Sequence, residues 1–418
     1  MRKARGRSVA FLAIAVASGI GLVRAVAASP LQAKSTAPKP AAPRATAPAR
    51  AASSFDQVVK KAAEARSASR FDEAIDGYRQ ALKLRSDWIE GRFILGTLLY
   101  DQDQYEAARD EFRRVSQADP KNGLVLGMKG LCEFQLKNYE RALGDLVAAR
   151  PLGIASEEVF TVASFHAAIL HNRFEQYELA FEVLKDFALH NKDSQGIIEA
   201  FGLSVLRLPF LPAEAPSDKR EMILMAGRAG FQQARGRSTP VARQFFDELA
   251  ARYPTVPNVH YAYGVFLLVE DPPAAVEEFR RELRISPNHY HAMLQIAFEG
   301  LKQGQFTEAK ALAEKALELA PNVFAARNAL GRALLELGEV DAAILELEKG
   351  ASLAPDSPEM HFSLARAYAK KGRTEDAAAA RVTFLRLDKA RRTTKTGPQS
   401  VGGMAQEPEG ADPLPEKK

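Results

Sequence analysis

Residues 290–357 repeat themselves. YHAMLQIAFEGLKQGQFTEAKALAEKALELAPNV runs without a gap into FAARNALGRALLELGEVDAAILELEKGASLAPDS. Laid over one another at a 34-residue offset, Ala297 falls on Gly331, Gly304 on Gly338, Ala309 on Ala343 and Pro321 on Pro355. Each unit reads as two helical patterns of about twelve to fourteen residues joined by a short turn. One helix pair has too little apolar surface to form a core alone, but stacked pairs share a continuous one. A sustained period of this length therefore predicts an all-α array.

The same offset reaches back to Phe55. Ala74, Ala108 and Ala142 are each 34 residues apart, as are Gly96 and Gly130, and Tyr105 and Tyr139. Repeats are expected at 55–88, 89–122 and 123–156, with Gly96, Gly130, Ala108 and Ala142 letting the paired helices approach and Leu95, Leu99, Phe112 and Val115 filling the space between. Pro120 cannot continue a helix and stops it. Towards the C-terminus the register passes through Gly230, Ala242, Phe246 and Pro254, then through 257–289, one residue short, with Gly264, Ala275, Phe279 and Pro287. It ends at 358–391, with Ala365, Gly372 and Ala377. The helix expected at 375–390 carries Arg381, Arg386 and Lys389 and suits a cap.

Residues 157–222 break the pattern. Tyr177 and Ala180 keep the Tyr-x-x-Ala spacing, but after the helix expected at 194–208 its partner is replaced by PFLPAEAPS, whose prolines Pro209, Pro212 and Pro216 forbid one. This segment is either a partner loop or a connector between two half-arrays, 55–156 and 223–391.

The small residue early in the unit, Gly-x-φ-x-x-Ala in its middle and Pro near its end resemble the tetratricopeptide repeat (TPR) family over 55–391. The resemblance implies a right-handed α-solenoid of about eight or nine helix pairs whose concave groove binds a protein or peptide. It implies neither catalysis nor a cofactor. One departure stands out: the family's Trp near the repeat start is absent, its place taken by Arg92, Leu126, His260, Met293, Arg327 and His361. On the first helix of each repeat the positions left free of packing form one stripe. It runs through Phe93, Thr97, Tyr100, Leu131 and Phe134, then through Tyr261, Val265, Leu268, Leu294, Phe298 and Leu301, and ends with Asn328, Arg332, Leu335, Phe362, Arg366 and Lys370. The expected groove is apolar and aromatic with a cationic end at Arg332, Arg366 and Lys370, suited to an amphipathic or extended segment with an acidic end. The Lys/Asn order by which some family members grip a terminal carboxylate is not matched.

The two ends read differently. Arg2, Lys3, Arg5 and Arg7 precede an apolar run from Val9 to Val23, followed by Ala25-Val26-Ala27, so 1–27 reads as a secretory signal of bacterial style. Export to the periplasm is the expectation. The alternative is an uncleaved segment holding an envelope assembly or secretion factor in the inner membrane, the only route to membrane contact here. Residues 28–54 hold ten Ala and five Pro, the composition of a disordered linker, and 392–418 that of a disordered tail. The formal charge of +5 belongs to these ends: five bases and no acid lie in 1–27 and four bases in 28–54. The repeat region is mildly acidic, against nucleic-acid binding.

No metal or catalytic constellation emerges. The single Cys132 sits where a repeat wants a small buried side chain. Among the seven histidines, His166, His171 and His190 lack a carboxylate at ligand spacing. His260 and His361 hold packing positions, while His289 and His291 would point apart on a helix. Asp101-Gln102-Asp103 opens like a calcium loop, but Phe112 stands where its final Glu belongs. The chain is therefore expected to be no enzyme; the alternative, an enzyme subunit, would have to place its activity in 157–256.

Overall fold

The computed structural model describes residues 47–236 and 240–396. The signal-like segment and nearly all of the C-terminal tail lie outside them. All regular structure among the described residues is helical, in two units that meet at His171/Asn172.

The first unit contains α1 (Ala47–Ser67), α2 (Phe71–Leu84), α3 (Ile89–Asp101), α4 (Tyr105–Ala118), α5 (Gly123–Gln135) and α6 (Tyr139–Leu152). Most of α7 (Glu157–Arg173) also belongs to it. Helices pair as the period demands, α1 with α2, α3 with α4 and α5 with α6. Ala74, Ala108 and Ala142 are fully buried, and a methyl on Gly96 would stand 2.9 Å from Phe112. Cys132 is buried and its thiol pushed up to about 12, as befits a core hydrophobe. Helix α1 starts at Ala47, inside the stretch expected to be a linker. Pro48 falls in its first turn, where proline is tolerated, and alanines follow it.

The second unit opens with α8 (Tyr177–Leu189) and α9 (Gln195–Val205). Then come the pairs α10 (Arg220–Arg235) with α11 (Pro240–Arg252), and α12 (Val259–Leu267) with α13 (Pro272–Ile285). The regular repeats are α14 (Tyr290–Lys302) with α15 (Phe306–Leu319), and α16 (Phe324–Glu336) with α17 (Val340–Leu353). The last pair is α18 (Pro358–Lys371) with α19 (Thr374–Thr396), which runs a few residues past the expected end of the array.

The irregular stretch is not separate from the C-terminal repeats. Leu203, Leu206, Ile223 and Ala226 share one core with Phe246, Phe266 and Phe279. The partner missing from α9 is supplied by α10. The proline-bearing connector makes only two short 3₁₀ turns, 212–214 and 217–219, yet is anchored: Leu211 is buried and Phe210 packs on the core. This anchoring favours a connector over a free partner loop.

Candidate partner-binding surface

The predicted stripe splits by burial. In the first unit, Phe93 is half-buried against Phe112 (5.8 Å between ring centroids), and Thr97 turns its hydroxyl to the Ile94 carbonyl (2.8 Å). Tyr100 packs edge-on to Tyr105 at 5.3 Å, and burial pushes its phenol up to about 12. Phe134 sits against Tyr139 (5.6 Å) and His166 (4.3 Å). In the second unit, Val265, Phe298, Arg332, Phe362 and Arg366 are half-buried and Lys370 is exposed.

Leu131, Tyr261, Leu268, Leu294 and Asn328 are buried, as are Leu301 and Leu335, so they do not line an open groove. First helices of successive repeats touch directly, α14 with α16 and α16 with α18, and Leu294, Leu301 and Leu335 belong to the core those helices share, while Tyr261 and Leu268 belong to the core shared with α10, α11 and α13. Asn328 shows this directly, accepting a hydrogen bond from Ser363 of α18 (2.8 Å).

The cationic end is mostly paired. Arg366 meets Glu336 at 2.8 Å, and Lys370 Nζ donates to the Leu335 carbonyl at 2.6 Å. Arg332 differs: its guanidinium makes no hydrogen bond or ion pair with any described residue. Burial first, and the like charge of Arg366 second, hold its pKa below the ordinary arginine range. Glu336, already paired with Arg366, offsets this only in part, and an incoming anion would offset more of the cost of a desolvated guanidinium.

The place of the missing Trp carries a polar device that the sequence reading did not find. Arg92 donates to Glu111 on α4 (2.8 Å) and to the Ser86 carbonyl (2.7 Å). Arg327 does the same with Glu346 (2.5 Å) and the Pro321 carbonyl (2.9 Å). His260 bridges Glu278 (2.6 Å) and the Pro254 carbonyl (3.0 Å), and His361 keeps the carbonyl half of the pattern with Pro355 (2.8 Å). Each complete tie binds the paired helices to the loop that precedes them. The legible signal was a Glu 18 or 19 residues after the cation. Arg327→Leu would leave the half-buried Glu346 with Lys349 (2.8 Å) alone and strip the Pro321 carbonyl of its donor, and should cost about 1 kcal/mol in denaturant unfolding. Lys, which lacks the fork needed for two acceptors, should rescue only part of the loss.

A second cluster also escaped the sequence. His289 and His291 do not diverge; their ring centroids lie 6.0 Å apart. His289 is the N-cap of α14, outside the helical geometry, with its ring accepting from the Ala292 N–H at 3.1 Å. Both rings face Tyr261, at 4.6 and 6.2 Å. Arg207, in the left-handed region at φ 52°, reaches Glu178 (2.5 Å) and His291 Nε2 (2.9 Å), and its guanidinium lies over Tyr177. Burial, then Arg207, keep His291 neutral down to about pH 3. Its polar groups answer one another, which makes the cluster a structural knot.

The tetratricopeptide repeat family matches residues 93–153, 300–361 and 347–381. With the 34-residue period carried by helix pairs on both sides of these matches, the chain belongs to the tetratricopeptide repeat family, a family of protein-interaction scaffolds. No curated protein matches its sequence. Similar solved structures include a MamA RS-1 ArsTM double mutant, at 24% identity over 43% of this chain and 99% of that one, with a TM-score of 0.38. MamA 41-end from Desulfovibrio magneticus RS-1 is 25% identical over 42% and 99%, also at 0.38. Yeast Tom70 is 11% identical over 82% and 90%, at 0.32.

Proposed function

We propose that this chain is an exported, non-enzymatic scaffold that holds partner proteins along the first helices of its second unit. Phe298 and Phe362 supply half-buried aromatic surface, and Arg332 beside Arg366 receives a carboxylate of the partner. The observation that carries this reading is Arg332, a desolvated guanidinium that makes no hydrogen bond or ion pair with any described residue. Export rests on the basic residues, apolar run and small-x-small pattern of 1–27.

Cross-linking in the native envelope followed by mass spectrometry tests the reading. The wild type should enrich a partner that Arg332→Gln loses, at about a tenfold or greater drop in recovery for removal of a charge-assisted contact. Removing one charge of the like-charge pair while keeping the Arg366–Glu336 ion pair should leave the melting temperature within a few degrees of wild type. Equal recovery by wild type and variant would remove Arg332 from the site. No partner above background would count against the scaffold itself. N-terminal sequencing of the isolated protein addresses export separately, and a start at Met1 would sink the cleaved, periplasmic form.

A further inference from the structure

Helix α19 carries the chain back to the start of α18. The two helices form a hairpin turned at Gly372, and Arg391 of α19 meets Glu359 of α18 at 2.7 Å. The chain that follows Thr396 therefore leaves beside the N-terminal end of α18. From that end, Phe362, Arg366 and Lys370 succeed one another at one-turn intervals on a single face. Arg332 lies beside this face: Arg366 reaches Glu336, one turn on from Arg332 along α16.

The tail 397–418 lies outside the described residues, but its sequence is ordered as that face is. Residues 397–406 carry no charge and include Val401 and Met404. Glu407, Glu409 and Asp412 follow, with no base before Lys417. Along the helix axes the way from Thr396 back to Arg391, and on from Glu359 to Arg366, is about 18 Å at 1.5 Å per residue. Crossing from α18 to α16 adds about 10 Å. The stretch from Thr396 to Glu407 spans up to about 36 Å when extended, so the acids reach. Exposed cations of α19 such as Arg386 gain little from a carboxylate in water. Half-buried Arg332, with no hydrogen bond or ion pair to any described residue, gains more. We infer that residues 401–412 of the chain's own tail dock along α18, Val401 and Met404 towards Phe362 and the acids at Arg366, Lys370 and Arg332, and hold the proposed partner site closed until a partner displaces them. The inference rests on Arg332 being a carboxylate site.

Disulfide trapping in the full chain reads this without a partner. Ala369, beside Lys370, and Ala379, on the face of α19 that carries Arg386, are both exposed. They lie at similar distances from Thr396 along the helices, about 22 and 25 Å. Ala411→Cys with Ala369→Cys should close an internal disulfide at least about tenfold faster than Ala411→Cys with Ala379→Cys, native Cys132 being buried. Arg332→Gln should remove most of that preference, as should Glu407→Gln with Glu409→Gln and Asp412→Asn. This neutral tail should also raise partner recovery about tenfold, the gain when a site nine-tenths occupied is freed. Equal rates at the two positions, a preference that survives the neutral tail, or singly substituted chains cross-linking to each other as readily as the internal bond forms would each overturn the inference. Such a failure leaves the partner site standing. Equal partner recovery by wild type and Arg332→Gln, with the trapping preference intact, instead removes the partner reading and leaves the docked tail.

Discussion

Acidification from pH 6.5 to 4 will cost the first unit about 3 kcal/mol of stability through one side chain, His166. Its ring is 2% exposed, wedged against Phe134 and Phe165, and Nδ1 donates to the Val162 carbonyl at 2.8 Å. Burial leaves the imidazolium without water and lowers the pKa from 6.5 to about 4. The unfolded chain therefore takes up a proton near pH 6.5 that the folded chain refuses until about pH 4. Between those values the unfolded state binds more protons, so acid favours unfolding.

The measurement is simple because the chain has one tryptophan, Trp88, in this unit and half-buried against Phe55 and Tyr78. Its fluorescence during denaturant unfolding reports the first unit. His166→Gln keeps a donor for Val162 but cannot titrate. It should be less stable than wild type at pH 7, and the gap should close as the pH falls to 4. Parallel pH profiles for the two proteins would refute the assignment. His260 in the second unit has the opposite sign. Its hydrogen bond to Glu278 raises its pKa above 6.5, so its contribution is full below that value and is lost as pH rises through the raised pKa. His260→Gln should flatten that alkaline loss.

The array was legible because its signal is periodic. Ala309 and Ala343 are buried wherever the 34-residue offset puts them, and Gly331 lies against Leu347 as Gly96 does against Phe112. A period cannot describe what happens where it lapses. Between Ser194 and Arg220 no register survives, so the sequence stops a helix at the prolines but does not say which helix covers it. The groove stripe failed for another reason. A helical wheel gives the face on which Leu294 or Asn328 lies, but coverage of that face depends on the next repeat, which a single helix does not encode. The ties at Arg92 and Arg327 were missed because the family's apolar Trp set the expectation, while the residues present answer to hydrogen-bond geometry instead.

Gly202→Ala and Gly227→Ala, each conservative on paper, should be among the most damaging single substitutions in the second unit, at roughly 3 kcal/mol apiece. The contacts run crosswise: a Cβ on Gly202 would stand 1.9 Å from the Ile223 carbonyl oxygen, and one on Gly227 the same distance from that of Ile198. Residues 198 and 202 of α9 thus meet 227 and 223 of α10, which makes the helices antiparallel and brings backbone onto backbone. No rotamer change relieves a clash with a carbonyl, so the helices must separate by more than an ångström. That opens the core beneath, where Leu203, Leu206, Ile223 and Ala226 are at most 1% exposed. Against this stands the gain of up to about 1 kcal/mol when alanine replaces a helical glycine. Gly144 isolates that gain, since it lies exposed in α6 with nothing near its would-be Cβ. Gly144→Ala should stabilise the protein by about 0.5–1 kcal/mol. Unfolding followed by circular dichroism reads all three variants. If Gly202→Ala proved as stable as wild type, the two helices could not be in backbone contact, and another element would have to fill the place left by the missing partner of α9.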